Sequence, residues 1–127
     1  CGVVRNGPSM EEGLEKIADL RQAAQHVDVR PSAEGFVDLA LALDLLGAID
    51  SAEATIRGAL HRCESRGSHQ RLDFEETMPE QRVNYLVELD SQGGQQVSRH
   101  PVEPVPAYLA ERFEEFTEPE VEGRLLE

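Results

Sequence analysis

The segment from Phe36 to Ile49 constrains the fold of this chain more than any other part of the sequence. Leucine is so frequent in it that a helix built from it must be covered on more than one side; the leucines are Leu39, Leu41, Leu43, Leu45 and Leu46. The segment is too short to cross a bilayer, which takes about 20 apolar residues. We therefore expect a central core helix that buries Leu39, Leu43 and Leu46.

A first helix is predicted before this segment. Ser9 follows Pro8 and stands three residues before Glu12, a pattern in which serine caps the helix and the glutamate reaches back to the cap. Apolar residues then recur at helical spacing, at Met10, Leu14, Ile17, Ala24 and Val27. Pro31 ends this pattern, because proline disfavours a helical residue before it and lacks a backbone donor.

A third helix is predicted after the apolar segment. Gly47 permits a bend, and Asp50-Ser51-Ala52-Glu53 offers a second capping pattern. Ile56 and Leu60 then supply an apolar stripe. Three helices with short connectors predict a mainly α fold, an up-down-up bundle of the spectrin-repeat kind, with Ile56 and Leu60 in its core.

Beyond Gly67 the pattern changes to that of a β-hairpin. Val83, Tyr85, Val87 and Leu89 alternate along one face of a strand, a turn follows, and Gln95 to Val102 return. We expect one domain of a longer chain in three parts. Residues 1–81 form the helical bundle with its connecting loop, 82–106 form the hairpin and a Pro-rich exit packed on the bundle, and 107–127 form an acidic tail that is a short helix or disordered.

Charge excludes several kinds of partner. The net charge is −13 and Lys16 is the single lysine, whereas binding to nucleic acid or anionic lipid needs clustered basic residues. Cys1 and Cys63 are too few for a disulfide framework, which favours a reducing compartment. The chain begins Cys-Gly without an initiator methionine, so we expect it to start inside a longer protein.

Four stretches carry a resemblance to a known family. The stretch from Glu64 to Asp73 is similar to a Glu-Ser-Arg-Gly-Ala-His segment of that family. The stretch from Cys1 to Arg5 resembles the family's Cys-Gly-Ile-Tyr-Arg opening, and Asn84 to Leu86 resembles its Asn-Trp/Phe-Leu element. A Pro-rich run near Pro104 has its counterpart there as well. The chain thus resembles, over residues 1–106, the C-terminal helical domain of the flavoprotein subunit of succinate dehydrogenase and fumarate reductase. Val87-Glu88 departs from the family's Lys-His, and Ser68 from its alanine.

The resemblance implies the activity of a parent protein. Such a subunit binds FAD covalently, oxidises succinate or reduces fumarate, and passes electrons to an iron–sulfur subunit. The family's flavin and dicarboxylate residues lie upstream, and this chain has no Gly-x-Gly-x-x-Gly fingerprint. We therefore expect no catalytic, cofactor or metal residues here, FAD only in the full-length subunit, and no activity alone.

The implied partners are the FAD-binding and capping domains of the same chain and the iron–sulfur subunit, without nucleic acid or membrane insertion. The implied location is the cytoplasmic face of a membrane, reached through partner subunits. The direction of the reaction stays open. The alternatives are the equivalent domain of an L-aspartate oxidase and a stand-alone helical interaction module.

Five residues after the third helix are the candidate site: Arg66, Gly67, His69, Arg71 and Asp73. On a structural interpretation Gly67 closes the helix in a left-handed conformation, the arginines pair with carboxylates and His69 makes an interface hydrogen bond. On a functional interpretation the cluster docks onto the FAD-binding domain, so it should be partly exposed and poor in internal partners. A zinc site at His61, Cys63 and His69 is disfavoured, because His61 and Cys63 point apart on a helix.

Overall fold

The computed structural model describes residues 2–29, 32 and 36–109. Its elements are β1 Val4–Arg5, α1 Gly7–Ala24, α2 Phe36–His61, β2 Gln70–Arg71, a short 3-10 helix Pro79–Gln81, β3 Val83–Leu89 and β4 Gln95–Pro101. β1 pairs with β2 in parallel, and β3 pairs with β4 as an antiparallel hairpin. The described part is therefore mainly helical with a hairpin, as the sequence predicts.

Helix α1 begins earlier than its capping pattern predicts. Asn6 is the N-cap, and its side-chain oxygen accepts a 2.9 Å hydrogen bond from the amide of Ser9. Glu12 does not reach back to the cap but accepts a 2.7 Å bond from Lys16 on the exposed side of the helix. Asparagine is as good a cap as serine, and Pro8 fits the first turn, where a missing donor costs nothing.

Helix α2 corrects the prediction of two separate helices. It runs unbroken through Gly47, because a single glycine inside a helix costs only about 1 kcal/mol. The supposed capping residues serve within the helix instead. Ser51 donates to the carbonyl of Gly47 at 2.8 Å, and Asp50 and Glu53 both pair with Arg21 of α1. Before the hairpin the described residues therefore form two α-helices, α1 and α2, and the predicted up-down-up bundle of three is not confirmed.

The core lies along the second half of α2. Met10, Ile56 and Ala59 are buried there, with Leu14, Ile17 and Leu60 packed against them. The hairpin covers the same half, with Gly58 close to Val87 and the side chain of Gln95 donating to the carbonyl of Asp50.

The first half of α2 is largely uncovered. Leu39 is partly buried, but Leu46 is exposed and Leu43 is 74% exposed, so the prediction that these two leucines belong to the core is wrong. Val37 and Leu41 of the same half are also more than 60% exposed, so the elements that pack on α2 leave this side of its first half in water. The apolar composition correctly indicates a helix that needs cover, but the cover is not supplied by the described residues.

The hairpin follows its predicted alternation. Val83, Tyr85 and Val87 are partly buried on one face, while Leu89 at the strand end is exposed. In the turn the carboxylate of Asp90 accepts from the amides of Gln92 and Gly94. Residues 107–109 are helical, and the rest of the predicted acidic tail lies outside the described residues. None of the described helices has the length and apolar character needed to cross a membrane.

The unequal cover of α2 predicts unequal effects of truncation. Ile56→Ala should lower the free energy of unfolding by about 2–4 kcal/mol, because the side chain is buried and leaves a cavity. Leu43→Ala should change it by less than about 0.5 kcal/mol. Denaturant titration of both variants measures the difference, and equal losses would contradict the assignment of the core.

Candidate functional site

The candidate residues lie in the segment that follows α2, between Arg62 and Met78. A tight turn carries Gly67, which has a positive φ of 56°. Arg66 and His69 close this turn by exchanging two backbone hydrogen bonds of 2.8 and 3.0 Å. The left-handed conformation predicted for Gly67 is confirmed, but it serves this turn and not the end of the helix, which is His61.

Glu64 is the centre of the segment. Its side chain has no exposed surface and accepts from Arg62 at 2.6 Å and from Arg66 at 2.9 and 3.0 Å. The backbone amide of Met78 adds a fourth bond at 2.9 Å. The hydrogen bonds from Arg66, then those from Met78 and Arg62, outweigh burial and hold the pKa of Glu64 at about 2.

Arg71 and Asp73 join the two helices. The Arg71 guanidinium, 3% exposed, donates through Nη1 to the carbonyls of Ala59, Leu60 and Arg62 at the end of α2. Its other nitrogens donate to both carboxylate oxygens of Asp73 at 2.7 Å.

The same Asp73 carboxylate accepts a 2.8 Å bond from the amide of Gly7, the first residue of α1. The bonds from Arg71 and from the Gly7 amide lower the pKa of Asp73. Arg71 thus places a cation at the C-terminus of α2, and Asp73 places an anion at the N-terminus of α1. Each is the charge that the helix end favours.

His69 connects this segment to the start of the chain. Its Nε2 lies 3.2 Å from the carbonyl of Arg62, and its Nδ1 lies 3.2 Å from Nη1 of Arg5. Because a carbonyl can only accept, Nε2 carries the hydrogen and Nδ1 accepts from Arg5, so the ring is neutral. Burial lowers the pKa of His69, and the charges of Arg5, Arg71 and Arg62 lower it further, against a raising bond to the Arg62 carbonyl.

The structure brings the five predicted residues together but changes how they are interpreted. Arg66 and Arg71 pair with carboxylates, as the structural interpretation expects. The expectation of a surface poor in internal partners is wrong, because Arg71 and Asp73 bind helix ends and Arg66 binds Glu64. Because Arg66 donates two hydrogen bonds to the buried Glu64, Arg66→Ala should destabilise this chain.

Sequence reasoning missed three members of the cluster: Arg5, Arg62 and Glu64. Arg62 donates to the carbonyls of Gln81 and Val83 and lies 4.8 Å from the ring centre of Tyr85, so it ties α2 to the hairpin. Glu64 and Arg5 both stand inside the stretches that carry the family resemblance, and that was the available signal. Among the described residues, no group of three or more His, Cys, Asp or Glu side chains could hold a metal ion.

The fold and this cluster define a helical domain whose charged side chains stabilise its own architecture. The first half of its longest helix is largely exposed. The comparisons with known proteins make the class specific. A family model described as "Fumarate reductase flavoprotein C-term" matches residues 1–113, and the chain belongs to that family.

Individual relatives agree with the family. The fumarate reductase flavoprotein subunit of Haemophilus influenzae is 36% identical over 87 residues, which are 68% of this chain and 14% of that protein. The Mycobacterium tuberculosis subunit of the same description is 33% identical over 104 residues, which are 80% of this chain and 18% of that protein.

A solved structure of an E. coli quinol fumarate reductase variant matches with a TM-score of 0.73 at 27% identity, covering 84% of this chain and 19% of that one. The chain therefore spans less than a fifth of the length of these relatives. The matches support the fumarate reductase and succinate dehydrogenase flavoprotein interpretation, and they give no support to aspartate oxidase or to a stand-alone module.

The buried Glu64 predicts a pH-dependent stability. A carboxylate whose folded-state pKa is lowered from 4.5 to about 2 adds stability above its unfolded pKa, and this is lost as the pH falls toward 2. Glu64→Gln should lower the free energy of unfolding at neutral pH by about 3–5 kcal/mol, because two arginines lose their counter-ion. It should also flatten the acid dependence by up to about 1.4 kcal/mol per pH unit.

Glu12→Gln is the matched control, because the Glu12 side chain is 63% exposed and pairs only with Lys16. Urea titrations between pH 2 and 7 measure both variants. If Glu64→Gln behaved like Glu12→Gln in stability and in slope, the central role of Glu64 would be wrong.

Proposed function

We propose that this chain is the C-terminal domain of a flavoprotein subunit of the fumarate reductase and succinate dehydrogenase kind, and that it buttresses the FAD-binding and capping domains of the same polypeptide. The parent protein is then an oxidoreductase, and this part of it performs no chemistry alone. The family match and the coverage of less than a fifth of the relatives support a domain role.

The observation that carries this proposal is the uncovered first half of α2. Phe36 and Leu43 are 71% and 74% exposed, and they share one side of the helix because seven residues are nearly two turns. Val37, Leu41 and Leu46 are exposed as well. An exposed apolar area of this density marks an interaction surface, since burying each leucine is worth about 1.5–3 kcal/mol.

No FAD contact is proposed for the described residues, because the chain has no Gly-x-Gly-x-x-Gly phosphate-binding pattern. FAD is therefore assigned to the remainder of the subunit, where it would supply the redox chemistry, and no step of that chemistry is assigned to residues of this chain.

The partners follow from the same proposal. Two of the solved neighbours are described as quinol–fumarate reductase and as a Mycobacterium smegmatis Sdh1 complex, with TM-scores of 0.71 and 0.70. We propose that this domain also meets an iron–sulfur subunit, and that the subunit sits at the cytoplasmic face of a membrane through its partners. Direction of the reaction is a property of those other parts.

A charge placed on the exposed face tests the proposal. In this chain alone, Leu43→Lys should change the free energy of unfolding by less than about 0.5 kcal/mol, because the side chain is already in water. In the complete subunit it should loosen the domain, because a lysine must then be buried against apolar neighbours. Hydrogen exchange of α2 in the complete subunit measures the loosening.

Leu86→Lys is the matched control, since Leu86 is 45% exposed and lies on the face of β3 opposite to Tyr85 and Val87. It should leave hydrogen exchange of α2 unchanged. Equal exchange in the two variants would contradict docking through this helix face. A parent gene without a flavin-binding region would contradict the proposal as a whole.

A further inference from the structure

A polar cleft lies beside Arg5. Its lining does not include Arg71 or Asp73, the pair that joins the two helices. It has a volume of about 310 Å³ and lies where the start of the chain, the end of α2 and the hairpin meet. Its polar lining consists of Arg5, Thr55, Arg62, His69, Asn84 and Tyr85. The lining offers donors and cations and no carboxylate.

Arg5 is held in a fixed orientation within this cleft. Its Nε donates to the carbonyl of Gly2 at 2.8 Å, and its Nη1 donates to Nδ1 of His69 at 3.2 Å. The Arg62 carbonyl fixes the tautomer in which Nδ1 is free to accept. Two neutral acceptors thus aim the guanidinium without neutralising its charge, and Nη2 has no hydrogen bond to any described residue.

This treatment of Arg5 contrasts with that of its neighbours. Arg62 and Arg66 pair with Glu64, and Arg71 pairs with Asp73. Arg5 is partly buried, yet no described carboxylate lies within ion-pair distance of it, in a chain with 25 acidic and 12 basic residues. Carboxylates are therefore abundant in this chain, and Arg5 is kept apart from them.

We propose that the cleft receives an acidic side chain from the remainder of the same flavoprotein subunit, bound by Arg5, and that His69 is the positioning residue for Arg5. The proposal rests on the proposed function and names one polar contact of that interface. A guanidinium aimed by two acceptors suits a carboxylate, which takes a pair of parallel N–H bonds.

The family match favours this occupant over a separate subunit. The matched model describes a C-terminal region, so in the relatives most of the polypeptide precedes the segment that contains Arg5. Val3 and Val4, just before Arg5, are 52% and 54% exposed and extend the surface to be covered. The proposed occupant is therefore an acidic side chain from that preceding part of the same polypeptide.

Carbodiimide cross-linking of the complete subunit carrying Arg5→Lys tests the proposal. The reagent joins a lysine to a carboxylate in contact with it, and mass spectrometry identifies both residues. The expected product links position 5 to an Asp or Glu outside residues 1–127. A link to a carboxylate within residues 1–127, a link to another subunit of the complex, or no link at position 5 would each overturn the proposal. Arg82→Lys, at an exposed arginine beside the hairpin, is the matched control and should give no such link.

A second measurement separates recognition from folding. In the complete subunit, Arg5→Gln should speed hydrogen exchange at the domain interface about 10- to 100-fold, the loss expected for a charge-assisted contact, and it should speed exchange much less in this chain alone, where only the bonds to Gly2 and His69 are lost. His69→Leu should match Arg5→Gln, and His69→Asn, which keeps an acceptor near the Nδ1 position, should restore slow exchange. Failure of Asn to restore it would overturn the positioning role. If Leu43→Lys loosens the domain while Arg5→Gln does not, the cleft proposal falls and the proposed function stands.

Discussion

The Arg71–Asp73 pair is the interaction on which the rest of this structure depends. One guanidinium satisfies carbonyls at the end of α2, and its carboxylate partner receives the first amide of α1. Neither helix buries enough apolar surface to fix its position alone, since Met10 is the only fully buried side chain of the described part of α1. Gly7 belongs to the same constraint, because a Cβ there would lie 3.2 Å from Asp73 Oδ2.

This clamp divides α2 into two halves with different tasks. The second half carries the clamp, the Glu64 cluster and the small core, and the hairpin is tied to it through Arg62. The first half extends beyond these contacts with its outer side in water. In the proposed function, the second half is complete in itself and the first half is covered by other parts of the subunit, as expected of a buttress.

The sequence predicts the parts of this structure that depend on local pattern. The first helix, the alternation of Val83, Tyr85 and Val87, and the left-handed Gly67 all follow from spacing and residue type. Three features could not be predicted in this way. Asp50 and Ser51 mimic a helix start, but their partners are Arg21 on another helix and a carbonyl one turn back. The clamp joins residues 66 positions apart, and the exposure of Leu43 depends on which side of α2 the distant elements of the chain cover.

The Glu64 cluster explains how a domain with few unpaired cations can hold one of them in a fixed orientation. Buried ion pairs of this kind add little net stability over an apolar core, but one unpaired member is costly, so they allow a single arrangement of Arg62, Arg66 and the turn at Gly67. That arrangement places the carbonyl of Arg62 within hydrogen-bond distance of His69, and His69 within hydrogen-bond distance of Arg5. In a chain of net charge −13, a cation held apart from the chain's own carboxylates is a place where an acidic side chain can bind. In the proposed interface the internal pairs set the orientation of Arg5 near the end of α2, and the exposed apolar residues lie on the first half of the same helix.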